Sequence, residues 1–391
     1  MLKNRIAAIC WIIFVCIYGL ASDSYLILPL VVITVGMALY LAASVYVAPK
    51  YLTIAMETDG DTRKCTEISG RLLLKNRAYL PIAKASLMLN CENVLTKEKE
   101  QIPISFSIRD RYKETVVWNF QSHYCGKVFF TIDEVSISDA LGIFEKTFPV
   151  DLSQSLLVMP DSFYSYVDIT NRNAPNMDSD YYSDTKKGFD AGETFGIRDY
   201  VPGDSTKFIH WKLSTKLDRV VIRELGFPIQ NSIALLFETG YPDQDVPPEN
   251  IDAMVEVLAS VSGSLCEQQL EHHIIWYDHN SMQILDYHIL DEEVLTEVIA
   301  LLLAGKREED QESIIAKYID AYREYKYAHT VYISSYIEEY DMNQLQNLSS
   351  ITVLQTVYDG MPPNEAMIPG NISVISFHPS SMREELAQLN I

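Results

Sequence analysis

The residues best suited to chemistry lie in one segment, GETFGIRDYVPGDSTKFIHWKLSTK, from Gly192 to Lys216. His210 could act as a general base if a carboxylate and a nucleophilic hydroxyl lay within hydrogen-bond reach. Glu193, Asp204 and Ser214 are its nearest possible companions, but spacing alone does not bring them into contact. A histidine beside a tryptophan in a turn is more typical of a structural hydrogen-bonding residue. We therefore predict no catalytic residue, and a hydrolase or transferase using His210 is the alternative hypothesis.

Other signatures of catalysis or metal binding are missing from the sequence. It contains neither an HExxH motif nor a P-loop, and its glycines form no dinucleotide fingerprint. His272 and His273 stand at the start of a predicted strand, so their side chains should point to opposite faces and not share an ion. The six cysteines are scattered singly without a CxxC pair, as expected for reduced thiols in the cytoplasm. We predict no cofactor and no metal.

The charge distribution singles out the same segment. The chain carries 31 basic and 53 acidic residues, a net charge of -22, which argues against a general nucleic-acid binder. Between Lys186 and Arg223, however, the sequence contains eight basic and five acidic residues, a local net charge of +3. This reversal predicts a docking surface for an acidic partner or a phosphate group. Alternatively, the alternating charges of Glu193, Arg198, Asp204 and Lys207 pair with one another and lock a turn.

The hypothetical binding surface for a protein partner consists of ten residues: Glu193, Arg198, Tyr200, Gly203, Asp204, Lys207, His210, Trp211, Lys212 and Lys216.

Local patterns predict how this segment is held. Val201-Pro-Gly-Asp204 is a strong turn signal, and Asp204 could cap a short helix from Ser205 to about Ser214. Arg219 to Glu224 is predicted to be a strand that leads into an α/β core.

The first 49 residues predict a transmembrane helical hairpin. Two uncharged segments, Ile6–Ala21 and Tyr25–Ala48, are separated by a three-residue link, and about 20 apolar residues suffice to cross a bilayer. Basic residues flank the two outer ends and not the link, which predicts a multi-pass protein of the cell membrane with both termini in the cytoplasm. A cleaved signal peptide ending at Gly19-Leu-Ala21 is the alternative for the first segment.

Three further regions follow. Residues 50–160 alternate with a period of two between turn signals, which predicts a small antiparallel β-sandwich. Residues 161–230 are interpreted as an exposed linker followed by the charged segment. Residues 231–391 alternate strand and helix patterns, including a helix from Asn250 to Leu270 and another over 292–304. They predict an α/β domain with a mainly parallel, doubly wound sheet.

Two stretches together resemble the domain of unknown function 58 family. The main one comprises Gly192-Glu193, Arg198-Asp-Tyr200, Pro202-Gly-Asp204, Ile209-His-Trp-Lys212 and Ser214. The other, Asp139-Ala-Leu-Gly-Ile-Phe144, is similar to a family segment with proline in place of Ala140. The two apolar segments and the β-rich region also suit the family, so the resemblance extends over nearly the whole chain.

The resemblance implies a membrane-tethered bacterial protein without an established activity. It further implies a C-terminal portion like a von Willebrand factor A domain, and a genomic neighbourhood with MoxR-type AAA+ ATPases and transglutaminase-like proteins. The metal site of that domain needs Asp-x-Ser-x-Ser after the first strand. The matching place here is Phe237-Glu-Thr-Gly-Tyr241, where the two serines are missing, so no such site is expected.

The leading hypothesis is a membrane-anchored cytoplasmic scaffold or adaptor that is not an enzyme. It would dock a MoxR-type AAA+ ATPase or a related envelope-assembly partner through residues 192–216, and a transglutaminase-like membrane protein is a further possible partner. A purely structural, envelope-associated protein is a second alternative, in which Trp211 would belong to a domain junction and its loss would destabilise the fold.

Overall fold

A computed structural model describes residues 2–21, 25, 27–168, 182–201, 205–228, 233–241, 246–310, 312–321, 327, 329–337, 339–346, 350–358 and 372–390. The chain divides into two compact units, Met1–Asp161 and Ser162–Ile391.

Two apolar helices begin the first unit, α1 (Leu2–Ala21) and α2 (Ile27–Tyr46). In the part of the chain that the structure describes, α2 is the helix long and apolar enough to cross a membrane. A helix of this kind near an N-terminus is typical of a membrane anchor or a signal sequence. After α2, a single 3₁₀ turn over Ala48–Tyr51, with Pro49 near its start, leads into the β-strands.

The rest of the first unit consists of strands packed as two sheets. The strands are β1 (Leu52–Thr58), β2 (Thr62–Arg63), β3 (Glu67–Asn76), β4 (Ile82–Asn93), β5 (Lys99–Ile108), β6 (Lys113–Gln121), β7 (Gly126–Ser138) and β8 (Glu145–Met159). One sheet has the order β1-β3-β6 and the other β2-β8-β7-β4-β5, antiparallel except for the β2–β8 pair. Inward side chains of both sheets form one core, in which the rings of Trp118 and Phe130 lie 4.8 Å apart. The predicted β-rich region is therefore found as two sheets around a shared core, one antiparallel and one mixed through its single parallel pair.

The second unit contains strands β9 to β20 and helices α3 to α8. Its strands are β9 (Tyr166–Asp168), β10 (Tyr182–Asp199), β11 (Val221–Pro228), β12 (Ile233–Phe237), β13 (Gly240–Tyr241), β14 (His272–Asp278), β15 (Gln283–Ile289), β16 (Glu308–Glu309), β17 (His329–Ser334), β18 (Ser350–Thr356), β19 (Ser373–Phe377) and β20 (Gln388–Asn390). Its helices are α3 (Trp211–Leu217), α4 (Pro248–Glu267), α5 (Glu292–Ala304), α6 (Ile314–Ala321), α7 (Glu339–Gln346) and α8 (Met382–Glu385).

A six-stranded sheet with the order β15-β14-β12-β17-β18-β19 forms the centre of this unit. The helix α4 packs on β12, β17 and β18, whereas α6 and α7 pack on the opposite face around Ala234, Leu236 and Tyr332. Because both faces are covered, β12 is buried at every position, which explains its unbroken run of apolar residues.

The sheet differs from the expected doubly wound arrangement at one edge. Five strands are parallel, but β15 runs antiparallel to β14, so the sheet is mixed. The reason lies in the connection, since four residues after Asp278 are enough for a hairpin but far too few for a parallel crossover.

The region 161–230, interpreted from the sequence as a linker and a charged segment, contains strands. β9 pairs with β20, the last strand of the chain, and β10 pairs with β11 in a separate two-stranded sheet. The strand predicted after Arg219 is β11, which belongs to this two-stranded sheet and not to the six-stranded one. Its hydrogen bonds go to β10, a strand with few aliphatic residues that a hydrophobic pattern does not reveal.

Candidate functional site

The segment from Tyr200 to Val220 is a compact excursion between the paired ends of β10 and β11. The Tyr200 amide donates to the Val220 carbonyl at 2.9 Å, and the His210 amide donates to the Val221 carbonyl at 2.9 Å. An isolated bridge between Ile209 and Ile222 adds a third tie. The excursion is thus held at its base by backbone hydrogen bonds, and most of its described side chains are exposed.

The predicted helix over Ser205–Ser214 is replaced by a 3₁₀ turn, Thr206–Phe208, followed by α3 from Trp211. His210 caps α3, because its Nδ1 accepts a 3.3 Å hydrogen bond from the Leu213 amide. The cap predicted at Asp204 therefore falls six residues too early for the α-helix. Gly203 and Asp204, both predicted binding residues, lie outside the described residues.

Ser214 fixes α3 onto the start of β11. Its Oγ donates to the His210 carbonyl at 3.0 Å and accepts from the Val221 amide at 3.0 Å. These hydrogen bonds involve the backbone of His210 and not its imidazole. In the described contacts, His210 caps α3 and Ser214 joins α3 to β11. The side chain of Glu193 is outside the described residues.

Exposed apolar and basic side chains occur on this excursion and on the ends of β10 and β11 beside it. Trp211 is 67% exposed, and four further large apolar residues are exposed beside it in the chain: Ile197, Val201, Leu217 and Val220. The exposed cations are Arg198, Lys207, Lys212, Lys216, Arg219 and Arg223. We call these eleven residues the motif surface. Tyr200, another predicted binding residue, is half-buried at its base.

Two ion-pair and hydrogen-bond contacts of Asp199 are described in this region, whereas the side chains of Glu193 and Asp204 from the predicted charge lock lie outside the described residues. Arg219 Nη1 lies 3.2 Å from Asp199 Oδ2, with both side chains largely exposed, and Arg198 donates to the Asp199 backbone carbonyl at 3.2 Å. An exposed pair of this kind contributes little to stability, because solvent screens it and ordering two long side chains costs entropy.

Glu238, at the carboxyl end of β12, lies where a ligand would enter an α/β sheet of this kind. It is buried, and its carboxylate accepts hydrogen bonds from the Gly240 amide at 3.0 Å, the Ile314 amide at 2.9 Å and the Tyr332 hydroxyl at 2.9 Å. Burial raises the pKa of Glu238, while these donors and nearby Arg307 act in the opposite direction. The carboxylate thus joins β12, β17 and the start of α6.

The neighbouring Thr239 is also engaged, since its hydroxyl donates to the Tyr277 carbonyl at 2.6 Å. Within the described ranges, no group of three or more histidine, cysteine, aspartate or glutamate side chains is arranged to hold a metal ion.

A buried contact between a serine and a histidine was not predicted from the sequence. His272 is fully buried, its Nε2 lies 2.6 Å from Ser262 Oγ on α4, and its Nδ1 lies 3.0 Å from the Leu270 carbonyl. Burial lowers the pKa of His272 to about 4, which keeps the ring neutral. Without access to a substrate, this contact has a structural role. The spacing from Ser262 to His272 gives no sequence signal, because α4 and β14 come together only through packing.

His273 points to the opposite face, as strand alternation requires. Its Nδ1 lies 2.7 Å from Asp286 Oδ1, and Asp286 also accepts from the Tyr327 hydroxyl at 2.8 Å. The His273 ring stacks on that of His288, its partner across the strand pair, with centroids 4.7 Å apart. The two adjacent histidines therefore join separate networks.

Comparisons with known proteins identify no family for this chain. No protein-family model and no curated protein matches it. Among solved structures, the CARDB domain of a Pyrococcus furiosus protein in complex with di-metal ions covers 27% of this chain and 91% of its own, at 9% identity and a TM-score of 0.20. A β-glucosidase from Kluyveromyces marxianus covers 28% of this chain and 15% of its own, at 12% identity and a TM-score of 0.18. A GH20 exo-β-N-acetylglucosaminidase from Vibrio harveyi matches over 86% of this chain and 56% of its own length, at 9% identity and a TM-score of 0.19. These similarities are too low to assign a fold family or an activity.

Proposed function

We propose that this protein is a membrane-anchored scaffold or adaptor that binds a cytoplasmic protein through the motif surface. The observation that carries the proposal is the exposure of Trp211, at 67%, among exposed lysines and arginines of an acidic chain. Tryptophan and arginine are the residue types most enriched among those that dominate binding energy at protein interfaces.

The charge of the motif surface favours an acidic partner. Lys207, Lys212 and Lys216 lie within ten residues of one another and are all exposed. In a chain of net charge -22, such a cluster would steer an acidic partner toward this site, because the acidic remainder of the chain repels that partner.

The family resemblance favours a MoxR-type AAA+ ATPase as this partner, with a transglutaminase-like membrane protein as a further one. The antiparallel edge strand and helices on both faces of the six-stranded sheet are compatible with a von Willebrand factor A-like module in this role. In the proposed topology both α1 and α2 cross the membrane. Lys3 and Arg5 in the first turns of α1 and Lys50 after α2 then keep both termini in the cytoplasm.

The proposed role needs no catalysis, and the contacts of His210 support that. Its ring caps α3, and the hydroxyl of Ser214 is bonded to backbone groups. Should the purified chain hydrolyse ester, phosphoester or peptide substrates, with the activity lost in His210→Ala, the enzyme alternative would replace the adaptor.

Capture of a purified MoxR-type ATPase by the full chain in detergent tests the binding role. We expect a saturable complex that weakens when Lys207 and Lys212 are reversed. Protease added outside intact cells should leave the C-terminal unit uncut. Digestion of that unit would place it on the other side of the membrane and contradict the proposal.

A further inference from the structure

The beginning of α1 is bonded to a loop of the β-sheet unit, residues 139–144. Asn4 Nδ2 donates to the Leu141 carbonyl at 2.6 Å, and Arg5 Nε donates to the Ile143 carbonyl at 3.0 Å. These partners are separated by 137 and 138 positions in the sequence. We call this arrangement the helix clasp. It places the loop against the polar end of the apolar helices.

The loop is shaped for this contact by its own residues. The buried Asp139 carboxylate accepts from the Ile143 amide at 2.8 Å and the Phe144 amide at 3.2 Å, which closes a tight turn. Gly142 has φ of +67°, and a Cβ there would stand 3.2 Å from Asn4 Nδ2. The end of α2 joins the same loop, because the Tyr46 and Phe144 rings lie 6.5 Å apart. Both helices thus meet the loop.

Above the clasp lies an apolar groove between α1 and α2, with a volume of about 610 Å³. Its lining includes Ala7, Ala8, Trp11, Met37, Ala38 and Leu141. The small alanines create the space, and Leu141 of the loop contributes to the wall at the polar end. A volume of this size is within the usual range for a bound small molecule.

We propose that this groove binds an anionic phospholipid, with an acyl chain between the helices and the phosphate beside the start of α1. The inference rests on the proposed membrane anchoring. Charge complementarity identifies the headgroup: Lys3 and Arg5 flank Asn4, which itself lines the groove, and both are exposed. The nearby Asp139 carboxylate is occupied by backbone amides.

The dimensions of the groove favour a lipid over a helix of another protein. Its lining on α2 runs from Leu30 to Leu41, about 17 Å at 1.5 Å per residue. A crossing helix needs a continuous face over the roughly 30 Å of hydrocarbon. Leu141 and Ile143 stand at the polar end, where such a helix would have to leave. An acyl chain that ends at the headgroup has no such requirement.

Native mass spectrometry of the full chain in detergent tests the site. After delipidation, the chain is titrated with phosphatidylglycerol and, separately, with phosphatidylcholine of the same acyl chains. We expect one retained phosphatidylglycerol and weaker retention of phosphatidylcholine. Lys3→Gln and Arg5→Gln should each reduce this preference about fivefold, the effect of one cation near an anionic headgroup.

A matched pair of variants on α1 separates the groove from the general apolar surface. Ala8→Phe fills the groove and should lower lipid retention at least about tenfold. Ile9→Phe adds an aromatic ring at the neighbouring position, which is 56% exposed and outside the groove lining, and should retain the lipid. Equal retention by the two variants, or equal retention of the two lipids by the wild type, would overturn the proposal.

A partner protein in the groove is a distinct outcome. If Ala8→Phe displaces a co-purifying membrane protein and leaves lipid retention unchanged, the occupant is a helix and the lipid proposal is wrong. Failure of the anchoring itself is recognised separately, because the wild-type chain would then remain in the aqueous phase after detergent phase separation.

Discussion

The Tyr332 hydroxyl donates a 2.9 Å hydrogen bond to Glu238 Oε2 inside the second unit, where both side chains are fully buried. Glu238 also accepts the Gly240 and Ile314 amides, so one carboxylate satisfies three donors from three places in the chain. Removal of the carboxylate would leave these donors buried without their acceptor.

We therefore predict that Glu238→Ala lowers the free energy of unfolding by about 3–5 kcal/mol. Tyr332→Phe, which removes one donor, should cost about 1–2 kcal/mol. Because the two side chains share a hydrogen bond, the double variant should lose less than the sum of the single losses. Chemical denaturation measures all three. Glu309→Ala, at an exposed position of β16, is the control, and additive losses would mean that the two residues are not coupled.

Gly70 makes room for a tryptophan across the three-stranded sheet. Gly70 pairs with Trp118, and a Cβ on Gly70 would stand 2.0 Å from the Trp118 ring. Because Trp118 is 4% exposed and packed on Phe130, it cannot move away freely. Gly70→Ala should destabilise the β-sheet unit by about 3 kcal/mol, as measured by denaturation. Gly60→Ala, with open space around the added carbon, should have no comparable effect.

The buried histidines predict a loss of stability in mild acid. The pKa of His272 is lowered to about 4 from an ordinary 6.5, so the unfolded chain binds the additional proton between these values. The contribution of His272 to the free energy of unfolding is therefore fully present above pH 6.5. It is lost as the pH falls toward 4, which lowers the free energy of unfolding by about 3 kcal/mol. His329, whose pKa burial also lowers to about 4, adds a similar dependence.

His272→Gln should accordingly remove about half of this pH dependence, although it also weakens the fold at neutral pH. Denaturation followed by the fluorescence of the buried Trp276 measures the slope. His378→Gln, at an exposed position, should keep the wild-type slope. An unchanged slope in His272→Gln would show that this residue is not the group that titrates.

Trp211 should matter for binding and hardly for stability. Since its side chain is 67% exposed, Trp211→Ala should change the free energy of unfolding by less than about 1 kcal/mol. Loss of an interface tryptophan costs at least about 2 kcal/mol, so capture of the ATPase should weaken roughly thirtyfold. The opposite result would favour the purely structural alternative. In that case Trp211→Ala would strongly destabilise the chain, yet the folded fraction would still bind the ATPase. Trp276→Ala, in the core, is the control for a destabilising truncation.

Charge reversal tests the electrostatic part of the same surface. Lys207→Glu with Lys212→Glu should weaken capture, and the difference from the wild type should shrink in high salt because screening removes it. Lys84→Glu with Lys113→Glu makes the same charge change on exposed strand positions of the first unit and should leave capture intact. If both pairs weaken capture equally, the effect reflects overall charge and not the motif surface.

The elements with a clear period could be predicted closely from the sequence. The helix expected over 292–304 is α5 with the same bounds, because Asp291 caps it and apolar residues recur at helical spacing. In contrast, β9 pairs with β20 across more than 200 residues, and short strands of that kind have no local signal.

The candidate site was located by composition but not by conformation. A continuous helix from Ser205 to Ser214 would place Phe208 and Trp211 on one face, because they are three residues apart. In the structure, Phe208 ends a 3₁₀ turn and Trp211 begins α3. That difference of a few residues changes which side chains face solvent. The capping role of His210 depends on its backbone hydrogen bond to Val221, a contact that only the paired β10 and β11 bring about.

The helix clasp has a consequence for the order of events during synthesis. Asn4 leaves the ribosome 137 residues before Leu141, whose carbonyl it binds. At about 5–20 residues per second, the wait is roughly 7–27 s. Throughout that interval the first turn of α1 lacks its native partner, so the N-terminal helices reach their final arrangement only after most of the β-sheet unit has been translated.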